Sequence, residues 1–239
     1  VVRIVVDNSG SDWPLSKKFG IDSSKANLLI KYSKEHGLNP IGLTFHVGSQ
    51  CLNVNNWSNA LVTCKEIFRQ SEKNGVKLNL LNIGGGLPVK HVKEIPEVKE
   101  IADTILQTID ELFGNDINLQ IEPGRFLVGD AGLLCSTVIA RADRGTEKWI
   151  YVDVGVFNGL METIEGFDYE IESTNSDIKK INATIAGPSC DSVDTMFKNK
   201  NIPDENVGER LYFLNAGAYT LSYASNFNGF GLPKIYYIN

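Results

Sequence analysis

"LLNIGGGLP", residues 80–88, is the stretch on which the fold turns. An apolar run suited to a buried strand stops on Gly84, Gly85 and Gly86, with Pro88 close behind. Three consecutive residues without a Cβ mark a place where something comes close to the backbone. At a strand end that leads into a helix, such a turn offers N–H groups to an anion, with the positive helix end behind them. Phosphate is the anion this chemistry suits. Taken alone, the triplet is more often a tight turn, and it matches neither a P-loop nor a dinucleotide fingerprint.

Outward from this strand (77–84), the first half alternates strand and helix. Strands are expected over 3–7, 41–48 and 117–124. Helices are expected over 23–37, capped by Ser23 or Ser24 and stopped by Gly37; over 56–74, closed by Gly75; and over 96–114, stopped by Gly114. Helices of this length between strands imply βα units on a parallel sheet. After about Phe126 the long amphipathic helices cease. Strand-like runs at 132–142, 148–155, 178–187 and 210–217 are separated by polar loops, notably 165–177 and 198–209, as in a mostly antiparallel β-domain. The division expected is 1–125 and 126–239.

The 239 residues carry 23 Lys+Arg against 29 Asp+Glu, a net charge of −6, with no basic run, so nucleic acid and anionic membrane are not expected partners. Four scattered cysteines, Cys51, Cys64, Cys135 and Cys190, form no zinc pattern and suit a reducing, cytoplasmic setting. No apolar run approaches the ~20 residues of a membrane span. "VVRIVVDN" is strand-like from its first residue, which suggests a sequence that opens inside a domain.

Three of the parallel strands end in "FHVGSQ" (45–50), "NIGGGLP" (82–88) and "IEPGR" (121–125). Ligands gather at the C-terminal ends of parallel strands, so the three endings should converge on one site. Alone, His46 is more often a hydrogen-bonded core histidine, and Glu122 with Arg125 is as readily a loop salt bridge as an anion clamp. Three such signals at consecutive strand ends are poorly explained by coincidence. The β-half adds "AGPSCDSVD" (186–194), a thiol and a carboxylate side by side among turn-prone neighbours, and "NAGAYT" (215–220), with Tyr219 after a glycine turn.

In order and spacing, "FHVGSQ", "NIGGGLP", "IEPGR", "GPSCDS" and "GAYT…FNGF" resemble the ornithine/diaminopimelate decarboxylase family of pyridoxal-phosphate enzymes, in which an alanine-racemase-type barrel is paired with a C-terminal β-domain. "YVDVGVFNGLMET" looks like the bacterial ornithine and lysine/ornithine branch. The resemblance implies an α/β fold, the second half of a pyridoxal-phosphate-binding (β/α)8 barrel followed by the β-domain. It implies that Gly85, Gly86, Arg125, Ser49 and Tyr219 hold the cofactor phosphate, that Glu122 faces the pyridine nitrogen and that His46 stacks on the ring. Cys190 would reprotonate the α-carbon and Asp191 would receive the distal ammonium of the substrate, both serving the partner subunit's site in a homodimer.

Two departures accompany the resemblance. No lysine sits in a motif matching the family's Schiff-base lysine, so the covalent anchor is expected outside this sequence, and the chain alone is expected to be inactive. Where animal ornithine decarboxylases place a second substrate-binding aspartate, Val154 stands here, with Asp153 one residue earlier. Asp191, rather than Glu, points to a diamine-forming substrate, L-ornithine before L-lysine. Diaminopimelate or carboxynorspermidine decarboxylase, or an inactive homologue that binds a protein partner, are the alternatives. Four βα strands leave a barrel open at its edge, so the 239-residue piece alone is expected to aggregate.

Overall fold

The computed structural model describes residues 1–16, 18–114 and 116–238. The chain divides into two compact units, Val1–Pro88 with Ile95–Phe126, and Val89–Glu94 with Leu127–Asn239.

In the first unit β1 (Val2–Arg3) leads to β2 (Ser11–Trp13), α1 (Ser23–Glu35), β3 (Gly42–Thr44), β4 (Ser49–Cys51), α2 (Asn55–Lys73), β5 (Leu80–Asn82), α3 (Val98–Phe113) and β6 (Asn118–Gln120), and the short α4 (Gly124–Val128) begins in this unit and ends in the second. Strands β1, β3, β5 and β6 form a sheet in that order, every pair parallel, with Leu43, Leu81 and Leu119 in register. Each strand follows the previous one through a helix, the βα alternation expected from the apolar periodicity.

Regular pairing covers less than the expected strands because their C-terminal ends leave the ladder through single bonds. The Phe45 N–H donates to Asn82 O, Ile83 N–H to Gln120 O and Glu122 N–H to Gly84 O at 2.7 Å. These ends carry the three motifs.

Helix α1 is capped by Asp22, one residue before the expected serines. Its Oδ1 accepts the Ser24 N–H at 2.9 Å, a cap worth about 1 kcal/mol. Helix α2 buries Trp57, Ala60, Leu61, Cys64 and Ile67, and α3 buries Ile101, Ile105 and Ile109 at four-residue spacing. These faces close over Leu43, Phe45, Leu81 and Ile83 in one apolar core. The antiparallel pair β2–β4 is an addition to the expected pattern, placed beside the His46 strand end by Asn8, whose Nδ2 donates to His46 O at 2.9 Å.

The second unit contains β7 (Leu134–Arg144), β8 (Glu147–Val152), β9 (Ile171–Glu172), β10 (Lys180–Ala186), β11 (Thr195–Pro203) and β12 (Arg210–Phe213). They form a sheet in the order β11-β10-β8-β7-β12-β9, antiparallel except for β8 with β10. Strand β11 corrects the expected loop over 198–209. It lies at the edge of the sheet, where lysine and asparagine are used to discourage pairing with another chain, and that polarity is what made it look like a loop. Val138, Ile150, Val152, Ile185, Ile202, Leu211 and Phe213 form the core. This core fixes the ends of β8 and β10, from which the "VDVGVFNG" and "GPSCDS" segments emerge.

Candidate active site

The glycine triplet is dictated first by its neighbours. A Cβ on Gly84 would stand 2.2 Å from Phe45 O, one on Gly85 2.4 Å from Glu122 O, and one on Gly86 2.5 Å from Gly48 O. Gly84 and Gly86 also have φ of +68° and +98°, the left-handed region where a side chain is strained. What comes so close at 84–86 is therefore the backbone of the adjoining strand ends, and the triplet draws "FHVGSQ" and "IEPGR" against "NIGGGLP". The Gly84 N–H is taken by Asn82 Oδ1 at 2.9 Å. Among the described residues the N–H groups of Gly85 and Gly86 have no protein acceptor. Gly85 is buried, and a buried N–H without a partner is rare.

Around these donors stand the other strand-end residues. Arg125, 6% exposed, donates from Nε to Ser49 Oγ at 3.4 Å. Glu122 Oε1 accepts from Asn82 Nδ2 at 2.8 Å. His46 Nδ1 accepts the Gly48 N–H at 3.0 Å, which puts the ring proton of the neutral imidazole on Nε2. Burial lowers the His46 pKa, the Arg3 charge lowers it further, and Glu122 opposes them. The ring is thus held neutral. His46, Ser49, Gly85, Gly86, Glu122 and Arg125 all lie in the first unit, on the ends of its parallel strands.

In the second unit Cys190 and Asp191 stand exposed on the loop after β10. They line a cavity of about 700 Å³ walled by Arg144, Trp149 and Tyr151. Asp191 Oδ1 accepts the Val193 N–H at 2.9 Å, which engages one of its two carboxylate oxygens. The loop is held from beneath by Asp194, 2% exposed, whose carboxylate accepts the Val156 N–H at 2.7 Å and the Ser189 N–H at 3.0 Å. Gly155 and Gly187 make room for it, since a Cβ on either would lie within 2.3 Å of Asp194 Oδ1. Asp153, exposed, accepts the Thr137 N–H at 2.7 Å and so also serves the sheet. Tyr219 has φ +57° and stacks on Tyr223 at 5.8 Å. A left-handed aromatic residue stores roughly 1–2 kcal/mol of strain, a cost usually met at functional positions.

A family model described as the pyridoxal-binding domain of pyridoxal-dependent decarboxylases matches residues 1–129. The chain belongs to this family. It is 34% identical to the lysine/ornithine decarboxylase of Selenomonas ruminantium over 236 residues, covering 97% of this chain and 59% of that protein. Among solved structures it superposes on SrLDC in complex with PLP and cadaverine with a TM-score of 0.85 at 33% identity, covering 97% of this chain and 59% of that one. On the Paramecium bursaria Chlorella virus arginine decarboxylase bound to agmatine the TM-score is 0.89 at 29% identity, covering 100% of this chain and 65% of that one. The chain therefore spans less than two thirds of each of these relatives. The fold is the α/β arrangement of this family, barrel strands followed by a mostly β domain.

The residues present fit a pyridoxal phosphate. Two adjacent N–H groups without an acceptor among the described residues, a buried guanidinium and a hydroxyl are the donor set that a phosphate requires. Asn82, Asp194 and Asn8 were not singled out by sequence reasoning. Asn82 stood inside the quoted motif, two residues before the triplet, and that position was the available signal.

Proposed function

We propose that the complete protein is a pyridoxal-phosphate-dependent decarboxylase of a basic amino acid, converting L-ornithine to putrescine and CO2 in polyamine synthesis, with L-lysine a second substrate. The observation that carries the reading is the pair of N–H groups at Gly85 and Gly86, without an acceptor among the described residues, together with the buried Arg125 guanidinium, on the domain that the pyridoxal-binding model matches. In this reading Gly85, Gly86, Arg125, Ser49 and Tyr219 hold the phosphate, and Glu122, oriented by Asn82, faces the pyridine nitrogen. His46 would lie against the ring as a neutral imidazole and so would add no positive charge there. When bound, the cofactor supplies an electron sink for the pair left behind as CO2 departs. Cys190 then gives its thiol proton to the α-carbon of the substrate. Residues 1–125 carry the cofactor contacts other than Tyr219, and 126–239 carry Tyr219, the acid and the distal-amine contact, shared between the subunits of a cytoplasmic homodimer.

The choice of an alkylammonium substrate rests on Asp191. One of its oxygens is engaged by the Val193 N–H. A carboxylate with one oxygen already engaged suits a compact ammonium, whereas a guanidinium fork is best met by both oxygens of a carboxylate. Asp153, with Oδ1 on Thr137, is a second carboxylate of the same kind.

The test is the kcat/KM of the complete gene product, with added pyridoxal phosphate, on L-ornithine, L-lysine, L-arginine and meso-diaminopimelate. Ornithine is expected to lead and arginine to fall about tenfold or more below it, the worth of one lost charge-assisted bond. A lead for arginine or diaminopimelate overturns the substrate. No CO2 from any of them overturns the decarboxylase reading in favour of a protein-binding homologue.

A further inference from the structure

Cys190 has a side-chain neighbour that none of the roles above explains. Asn228 Nδ2 donates to Cys190 Sγ at 3.1 Å across 38 residues of sequence. Asn228 sits in the tight turn Phe227–Gly229 with φ +54° and ψ +20°, a left-handed conformation that asparagine tolerates better than other residues with a side chain. The turn is fastened at Phe157. The Phe227 ring packs on the Phe157 ring at 4.2 Å, and Ser225 donates to Phe157 O from its N–H at 2.8 Å and its hydroxyl at 3.2 Å. The preceding residue, Val156, gives its N–H to Asp194 beneath the Cys190 loop. Both partners of the sulfur contact are thus anchored to one segment, and the contact is fixed by the fold rather than by a chance surface approach.

We propose that Asn228 is a positioning residue for Cys190, its amide N–H aimed at the sulfur so as to hold the thiol in place and stabilise the sulfur anion left when the proton is given up. The proposal rests on the proton-donor reading of Cys190. In that step the S–H bond breaks and a C–H bond forms at the substrate α-carbon. The electron pair of the S–H bond stays on sulfur, where the Asn228 N–H meets it, and a solvent proton later restores the thiol. An uncharged donor is the suitable partner for such an acid. The positive charge of a lysine or arginine at this distance would favour the thiolate so strongly that the proton went to solvent before the substrate needed it, whereas an amide favours the anion only modestly.

The test uses the complete gene product and the variants Asn228→Gly and Asn228→Asp. Glycine keeps the left-handed turn and deletes the donor; aspartate keeps the size and opposes the anion. Iodoacetamide alkylation of Cys190 is followed by peptide mass spectrometry. The rate at about pH 7.5 is divided by the rate at about pH 10.5, roughly two units above the ordinary value for an exposed cysteine, so that a change in access cancels. Cys135, the other exposed cysteine, is the internal control. The expected result is a ratio for Cys190 lowered about threefold or more in Asn228→Gly, and further in Asn228→Asp, with Cys135 unchanged. An unchanged Cys190 ratio in both variants overturns the proposal. The fraction of turnovers that end in misprotonated product, expected to rise in Asn228→Gly, provides the activity readout. A wild type that releases no CO2 from any basic amino acid would count against the decarboxylase reading, while the alkylation ratio would still decide the Asn228 contact.

Discussion

Asn82 binds two strand ends at once, donating from Nδ2 to Glu122 Oε1 at 2.8 Å and accepting the Gly84 N–H on Oδ1 at 2.9 Å. Its two functions separate by substitution. Asn82→Asp keeps an oxygen for Gly84 but sets a carboxylate against Glu122 in a buried position, so cofactor affinity and stability should both fall at neutral pH, and the stability lost relative to wild type should be partly recovered at a pH low enough for one carboxyl of the pair to take up a proton. Asn82→Ala loses both contacts and leaves a buried N–H unpaired, a loss of about 1–3 kcal/mol. Denaturant melts and pyridoxal-phosphate titration of the two variants distinguish the contributions.

Gly84 and Gly86 should be far less replaceable than glycines of similar φ elsewhere. Gly86→Ala places a methyl group 2.5 Å from Gly48 O, whereas Gly37→Ala, at φ +80°, meets nothing within 4 Å. Gly37→Ala is expected to cost about 1 kcal/mol, the strain alone. Gly86→Ala should cost about 2–4 kcal/mol, read as the difference in unfolding free energy between the variants.

Asp194 should behave as the keel of the Cys190 loop. Replacing it by Ala strands the Val156 and Ser189 N–H groups and opens a gap beneath Gly155 and Gly187. A loss of about 2–4 kcal/mol is expected. Amide hydrogen exchange should quicken over residues 187–195 and spare the β7–β12 ladder. Uniform quickening across the sheet would mean that the carboxylate serves the domain rather than the loop.

His46 gives a pH dependence of definite sign. Burial and the Arg3 charge hold its pKa below the ordinary value of 6.5, so the unfolded chain takes up a proton at a pH where the folded chain does not. Stability therefore falls as the pH drops below about 6.5 and continues to fall down to the folded pKa. His46→Gln should flatten this part of the stability profile, measured by denaturant melts between about pH 7.5 and 5. By contrast, burial pushes the Cys64 thiol up to about 12, so alkylation of the native protein should leave Cys64 unmodified while Cys135 and Cys190 react.

The βα alternation was legible because each helix carries its own apolar stripe and each strand its own apolar run, and both are local signals. The strand-end residues His46, Ser49, Gly85, Gly86, Glu122 and Arg125 were visible as motifs, and the parallel sheet brings these ends together. Strand β11 was hidden because its polar residues answer to an edge position that exists only in the assembled sheet. Asn82, Asp194 and Asn228 were hidden for a related reason. Their partners Glu122, Val156 and Cys190 stand 38 to 40 residues away in sequence, and an isolated asparagine or aspartate in a turn-rich segment signals only a turn. The triplet was legible as a close approach, but the approaching group proved to be the neighbouring backbone as well as any ligand.

The central claim is that the strand-end cradle holds the phosphate of the cofactor, and titration of pyridoxal phosphate into the complete gene product and its Arg125→Ala variant tests it most directly. The wild type should bind one cofactor per chain, and Arg125→Ala should bind about tenfold or more weakly, in keeping with the loss of a charge-assisted phosphate contact. Equal affinity in the two proteins would contradict the assignment.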